Sequence, residues 1–83
     1  MKLRFITDPG HGWLEVPMSL IRDMGIAGSI SRYSYRFGDM AYLEEDCDAS
    51  MFMRFAEHTG YKIEVEHLEQ DPTPIRNYQR FAA

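Results

Sequence analysis

Alternation of apolar and polar residues predicts two strands at the start of the chain. Residues 2–7 alternate loosely and are rich in strand-forming side chains. Residues 8–12 contain one proline and two glycines, which suit a sharp reversal. Residues 13–16 predict a short second strand, and Pro17 ends it because proline lacks the N–H that a strand ladder needs. The pattern therefore predicts a β-hairpin.

A short first helix is predicted directly after this hairpin. Its apolar side chains recur at near-helical spacing: Met18, Leu20, Ile21 and Met24. Pro17 suits the first helical turn, where its missing N–H is not needed. Gly25 follows as a natural C-cap, so the helix is predicted to end there.

A second helix is predicted over residues 48–58. Asp48 is an N-cap residue type, and Gly60 suits the position just after the last turn. Between them, one apolar stripe is formed by Met51, Phe52, Phe55 and Ala56. This stripe predicts that the helix packs against a core.

Residues 32–37 alternate cleanly, with three aromatic side chains on one face and two arginines on the other. Gly38 and Asp39 turn the chain and residues 40–44 return, which predicts a second β-hairpin. Residues 61–66 alternate just as clearly between apolar and charged side chains. They predict a last strand with one buried and one solvated face, as in an antiparallel sheet.

The predicted fold class is α+β, a small antiparallel sheet with two helices in the order β-β-α-β-β-α-β. Residues 1–70 are predicted to form one domain, and residues 71–83 an extended C-terminal tail. The prolines in residues 71–74 exclude a helix or a central strand at the start of this tail. Apolar side chains recur in that tail, so it can dock on the domain. The residues expected to be mostly buried are Phe5, Leu14, Val16, Leu20, Tyr35, Leu43, Phe52, Phe55, Ile63 and Val65.

The net charge of −4 conceals an acidic block in the middle of the chain. Residues 39–71 carry ten acidic and two basic side chains, whereas residues 1–38 and residues 72–83 each carry a net charge of +2. An acidic surface repels phosphate and attracts basic partners. It can equally be a solvated face that keeps a small protein in solution.

Cysteine content and hydropathy predict a cytoplasmic protein with no membrane segment. The single cysteine, Cys47, excludes an intrachain disulfide. No apolar run reaches the roughly 20 residues that cross a membrane. The first five residues lack the apolar stretch of a signal peptide.

No residue cluster has the spacing of a catalytic or metal site. Residues 44–48 hold four carboxylates, but their spacing matches no calcium loop. Cys47 with His58 or His67 could form a nucleophile and its base, yet acidic neighbours disfavour the thiolate. A zinc site that adds His11 lacks paired ligand spacing. We therefore predict no enzyme activity, no cofactor and no metal.

Aromatic residues on the short strands allow two interpretations. With Arg32 and Arg36 interleaved, they suggest a platform on which nucleic-acid bases stack. In a domain this small the same rings are needed for the core. The aromatic residues concerned are Trp13, Tyr33, Tyr35, Phe37 and Tyr42.

Three strings resemble small uncharacterised proteins of proteobacterial genomes, prophages and plasmids. They are residues 12–17 (GWLEVP), Ser34-Tyr35 with Gly38-Asp39, and residues 42–48 (YLEEDCD). This resemblance implies a mobile-element context and assigns no catalytic residue. The order of a glycine turn, a strand ending in Val16-Pro17, a short helix and Gly38-Asp39 is also similar, more weakly, to swapped-hairpin (AbrB-like) DNA-binding domains.

The sequence thus predicts a non-enzymatic protein-interaction module from a phage or mobile element. It would bind a host or phage protein through acidic and aromatic surface; a homodimer is left open, and nucleic acid is not the expected partner. The alternative is a small dimeric DNA-binding transcriptional regulator. The predicted partner-binding residues are Glu44, Glu45, Asp46, Asp48, Trp13, Arg32 and Arg36.

Overall fold

A computed structural model describes residues 1–82 and contains a six-stranded sheet with two α-helices. The strands are β1 (Lys2–Thr7), β2 (Gly12–Pro17), β3 (Tyr35–Phe37), β4 (Met40–Glu44), β5 (Glu64–Glu69) and β6 (Gln79–Arg80), and the helices are α1 (Met18–Met24) and α2 (Asp48–His58). The α+β class and the order of the first seven elements are confirmed. The short strand β6 is additional and comes from the tail. Ala83 of the predicted tail lies outside the described residues.

The strands lie in the order β5-β1-β2-β4-β3-β6. All neighbours are antiparallel except β5, which runs parallel to β1, so the prediction of a wholly antiparallel sheet is wrong for this strand. The reason is the connection through α2. A helical crossover joins parallel strands, and the path from β4 through α2 places β5 beyond β1 and in the same direction.

Both helices contribute to one apolar cluster, together with side chains from β1, β2 and β4. Its members include Leu14, Val16, Leu43 and Phe52, all 2% exposed or less. Ile21 from α1 joins the same cluster. The apolar stripe predicted for α2 is confirmed in part, because Phe52 and Ala56 are buried whereas Met51 and Phe55 are half-buried.

A second apolar cluster forms around Trp13, on the sheet face that these core side chains leave free. It contains Ile6, Trp13, Tyr35, Tyr42 and, from the tail, Ile75. Because Ile6 pairs with Trp13 across β1 and β2, and Tyr35 pairs with Tyr42 across β3 and β4, these four side chains share that face. The tail therefore covers a second core.

The tail is held by aromatic contacts and by strand pairing. Tyr78 stacks on Phe37 with ring centroids 4.6 Å apart and lies 5.2 Å from the ring of Tyr42. Strand β6 then pairs with β3, and Phe81 is 2% exposed. The expectation that the tail can dock agrees with this arrangement.

The last predicted strand differs from the structure in both position and burial. Strand β5 begins at Glu64, not Tyr61, and all six of its residues are exposed. Val65, expected in the core, is 36% exposed, and Phe5, Phe55 and Ile63 are only half-buried. The remaining six residues expected to be buried are buried. Strand β5 lies at one edge of the sheet, so a neighbouring strand covers it on one side only.

Two of the predicted helix ends agree with the structure and one does not. Gly25 caps α1 with a φ of +70°, and Gly60, with a φ of +83°, follows α2. Asp48 is not the N-cap of α2. Cys47 occupies that position and makes no side-chain capping bond.

Candidate functional site

A groove of about 670 Å³ lies between α2 and the β1–β5 edge of the sheet. Helix α2 contributes Met53 and Arg54, β1 contributes Phe5, and β5 contributes Val65 and His67. The full lining is Phe5, Leu14, Glu45, Ala49, Ser50, Met53, Arg54, Ala56, Glu57, Tyr61, Ile63, Val65 and His67. The groove exists because α2 packs over the central strands and leaves the edge strand β5 uncovered.

The groove has an apolar floor that is incompletely buried. Phe5, Met53 and Ile63 pack against the main core yet keep part of their surface exposed. Tyr61 and Val65 are exposed at its edge. The His67 ring meets the ring of Phe5 edge-on, with centroids 5.6 Å apart. Exposed apolar surface of this kind often marks a contact site for another molecule.

The free edge of β5 presents unpaired backbone groups to the outside. The N–H groups of Glu64 and Gln70 donate to the carbonyls of Met1 and Thr7, at 2.7 and 2.8 Å, so these residues direct their backbone toward β1. Successive residues of a strand direct their N–H and C=O to opposite edges. Val65, His67 and Glu69 therefore direct theirs away from the sheet, where no described strand pairs with them.

Carboxylates surround this edge. Residues 57–71 contain five acidic side chains and one lysine, Lys62. Glu64, Glu66 and Glu69 lie on β5 itself, and all three are exposed. Glu45 and Glu57 line the groove from the other side. The edge and its groove thus combine apolar surface with negative charge.

The structure distributes the predicted partner-binding acids over different environments. Glu45 and Asp46 are exposed, and Glu45 is the one that lines the groove. The Glu44 carboxylate accepts the backbone N–H groups of Asp46 and Cys47, both at 3.1 Å, and so closes the turn before α2.

Asp48 and Trp13 are not surface residues, which corrects the prediction that a partner contacts them. Asp48 is 3% exposed and accepts bonds from the Ser31 N–H and from the Ser31 and Ser34 hydroxyls. Trp13 is 2% exposed within the second cluster. Asp48 instead anchors the loop before β3, and Trp13 supports the tail.

The two predicted arginines lie apart from the groove. Arg32 is exposed, and Arg36 is half-buried with its Nε donating to the Gly38 carbonyl at 3.2 Å. Of the aromatic residues on β3 and β4 and the loop before them, some lie in the core and others at the surface. Tyr35 and Tyr42 are buried, while Tyr33 and Phe37 are 69% and 62% exposed.

An ion pair between Arg4 and Glu15 lies on the Trp13 face of the sheet, next to the buried phenol of Tyr42. The Arg4 guanidinium donates two bonds of 3.0 Å to the Glu15 carboxylate. These bonds hold the pKa of Glu15 below its usual value, although desolvation opposes the shift. Burial and the neighbouring Glu15 raise the pKa of Tyr42, so the phenol stays neutral.

Sequence reasoning missed the groove and the edge of β5. The signal in the sequence is the alternation of glutamates with apolar residues from Tyr61 onward, which is equally typical of a half-buried strand. Which strand is outermost depends on the topology of the whole sheet, and alternation alone does not specify it.

Among residues 1–82, no group of three or more His, Cys, Asp or Glu side chains is placed to hold a metal ion. No helix in the described part of the chain is long and apolar enough to cross a membrane. No protein-family model, curated protein or solved structure matches the chain.

Proposed function

We propose that this chain is a non-enzymatic protein-interaction module that binds an extended, basic segment of a partner protein along β5. The observation that supports this most directly is the open, acidic edge of β5 beside an apolar groove. In agreement with the sequence resemblance, we propose a phage or mobile-element context, a host or phage protein as partner, and a cytoplasmic location.

Backbone pairing would supply affinity that does not depend on the partner's sequence. A peptide that adds a strand to a sheet edge forms main-chain hydrogen bonds, and its alternate side chains enter pockets. Val65, His67 and Glu69 direct their backbone groups outward and would pair with the added strand. Every second side chain of that strand would lie over the groove.

Charge and apolar contact would supply the specificity. The added strand would lie within reach of Glu64, Glu66 and Glu69, so lysine or arginine is favoured on it. Apolar side chains on its groove face would contact Phe5, Met53 and the other floor residues. The preferred segment therefore alternates basic and apolar residues.

A second copy of the chain is a poorer occupant than a basic partner. Pairing of two β5 strands would place glutamates of one copy beside glutamates of the other, and like charges opposite each other destabilise strand pairs. Charged residues on an edge strand are also a common protection against self-association.

Peptide titration followed by backbone amide NMR tests the proposal. The probe is a synthetic peptide of alternating lysine and valine, and a glutamate–valine peptide is its control. We expect the lysine peptide to shift the amide signals of Val65, His67 and Glu69. A lysine peptide with N-methyl groups on the residues that face β5 should not bind, because its main-chain donors are removed.

Charge reversal on β5 provides the matched test on the protein. Glu64→Lys/Glu66→Lys should abolish binding of the lysine peptide, whereas Asp23→Lys, on the exposed side of α1, should leave most of it. Equal binding of the N-methylated and unmodified peptides, or shifts confined to residues outside β5 and the groove, would refute strand addition.

The alternative, a dimeric regulator that binds duplex DNA, has less support. Non-specific affinity for DNA requires arginines that are free to neutralise phosphates. Arg4 is paired with Glu15, and Arg76 is paired with Asp8. The remaining arginines do not compensate for the exposed carboxylates of β5.

A further inference from the structure

A second cavity, of about 470 Å³, opens on the Trp13 side of the sheet. Its walls combine aromatic rings with two guanidinium groups from the tail. The lining residues are His11, Trp13, Tyr33, Tyr35, Glu44, Cys47, Arg76 and Arg80. The volume falls in the range of about 300–1,000 Å³ that small-molecule pockets occupy.

Pairing between β3 and β6 carries positive charge from the tail into this cavity. Arg80 is paired with Tyr35, and its guanidinium lies 4.7 Å from the centre of that ring. Its Nη1 donates to the Arg32 carbonyl at 3.3 Å. Arg32, Tyr33 and Arg80 together line an adjoining depression. Arg80 and Arg32, which are 48 residues apart in the chain, are thus joined through the Arg32 backbone carbonyl, and both line the adjoining depression.

The charge on Arg80 is not compensated within residues 1–82, whereas that on Arg76 is. Arg76 donates to both carboxylate oxygens of Asp8, at 3.0 and 3.1 Å, and lies against His11 and Trp13. No described carboxylate forms an ion pair with Arg80 or Arg32. Glu44 is the one acidic side chain in the lining, and its oxygens already accept two backbone N–H groups.

Tyr33 gives the cavity an exposed aromatic wall. Tyr33 lines both the cavity and the adjoining depression, and it is 69% exposed, so its ring is not part of the core. The Ser31 hydroxyl accepts the Tyr33 N–H at 3.1 Å, which fixes the backbone at this point. An exposed ring beside guanidinium groups that lack a carboxylate partner can stack on a planar group while the arginines contact an attached anion.

We propose that this cavity and the adjoining depression together bind a small aromatic phosphate monoester, with a nucleoside monophosphate as the simplest example. The phosphate contacts Arg80 and Arg32, and the planar ring stacks on Tyr33. Because Glu44 keeps one negative charge in the lining, a monophosphate suits the cavity better than a triphosphate does. This site is separate from the groove and does not depend on the proposed protein partner.

Calorimetric titration of the full chain with adenosine 5′-monophosphate tests the site. Adenosine and inorganic phosphate are the comparison ligands, and each should bind more weakly because each lacks half of the contacts. Arg32→Gln should weaken binding of the monophosphate about 10-fold, as expected for one charge-assisted hydrogen bond. Tyr33→Ala should weaken it about 5- to 10-fold and leave binding of inorganic phosphate unchanged.

Two further variants separate binding from folding. Arg22→Gln, on the exposed side of α1, removes the same charge outside the cavity and should bind the monophosphate as the unmodified chain does. Arg80→Gln should weaken the monophosphate most, and its melting temperature shows whether β6 remains paired; if β6 is lost, Arg32→Gln and Tyr33→Ala decide the question. Absence of monophosphate binding, or equal loss in Arg22→Gln and Arg32→Gln, would overturn the proposal.

Discussion

Phe52 and Phe55 lie on the same face of α2, but the structure predicts that they contribute unequally to the free energy of unfolding. Phe52 is 0% exposed at the centre of the main cluster, whereas Phe55 is half-buried at its margin. Truncation of a buried phenylalanine to alanine costs about 3–5 kcal/mol. We expect Phe52→Ala to have that cost and Phe55→Ala to cost less, about 2 kcal/mol, because water already reaches part of the Phe55 ring and the margin of the cluster can relax.

Urea denaturation measures this difference. A chain of 83 residues has a free energy of unfolding of about 4–12 kcal/mol. With a urea dependence of about 1 kcal/mol/M for a small protein, Phe55→Ala should lower the midpoint by about 2 M. Phe52→Ala should lower it by 3 M or more or leave the chain unfolded, so Phe52→Leu is the milder variant that keeps the comparison measurable.

The order of the two effects is the test. A loss in Phe55→Ala as large as that in Phe52→Ala would show that α2 is rotated about its axis relative to the sheet. The α2 residues that line the groove beside β5, Met53 among them, would then be displaced, and the floor on which the proposed peptide site depends would change.

Three further outcomes follow from individual side chains. Because the pKa of Glu15 is lower in the folded chain than in the unfolded one, its ion pair with Arg4 stabilises the fold above the unfolded pKa and is lost as pH falls through the folded pKa. Glu15→Gln should therefore flatten the dependence of melting temperature on pH as the pH falls below about 4.3, the usual pKa of a glutamate in an unfolded chain. Cys47→Ser should leave the melting temperature and peptide binding unchanged, because the Cys47 side chain is exposed. A large decrease in either would show that the thiol has a structural or binding role. A gel shift with duplex DNA at about 50 mM salt should show no binding, and tight binding lost in Arg32→Glu/Arg36→Glu would favour the regulator instead.

Patterns in the sequence predict the structural features that depend on residues close together in the chain. They do not predict features that depend on residues far apart in the chain. The β1–β2 and β3–β4 hairpins and both helices were found because turn residues and apolar spacing act over a few positions. The role of Asp48 depends on Ser31 and Ser34, which lie 17 and 14 residues earlier, and so a pattern typical of an N-cap concealed a buried acceptor.

Candidate sites were harder to predict than the fold because sheet order decides which side chains are accessible. Val65 and Trp13 both stand in alternating segments, yet Val65 lies on an edge strand and Trp13 lies under the tail. The tail itself carries Ile75 and Phe81, whose burial follows from its route over the sheet. Neither route nor strand order is encoded in the alternation of a single segment.

The strand order also places the acidic and the basic side chains of the two proposed sites on separate surfaces. The carboxylates of β5 and the Arg80 guanidinium of β6 lie at opposite ends of the sheet, with four strands between them. Effects of substitutions at distant sites that share no contacts are close to additive. Glu64→Lys/Glu66→Lys should therefore abolish peptide binding without changing the affinity for adenosine 5′-monophosphate. Arg32→Gln should do the reverse, and loss of both ligands in either variant would show that the two surfaces are one coupled site.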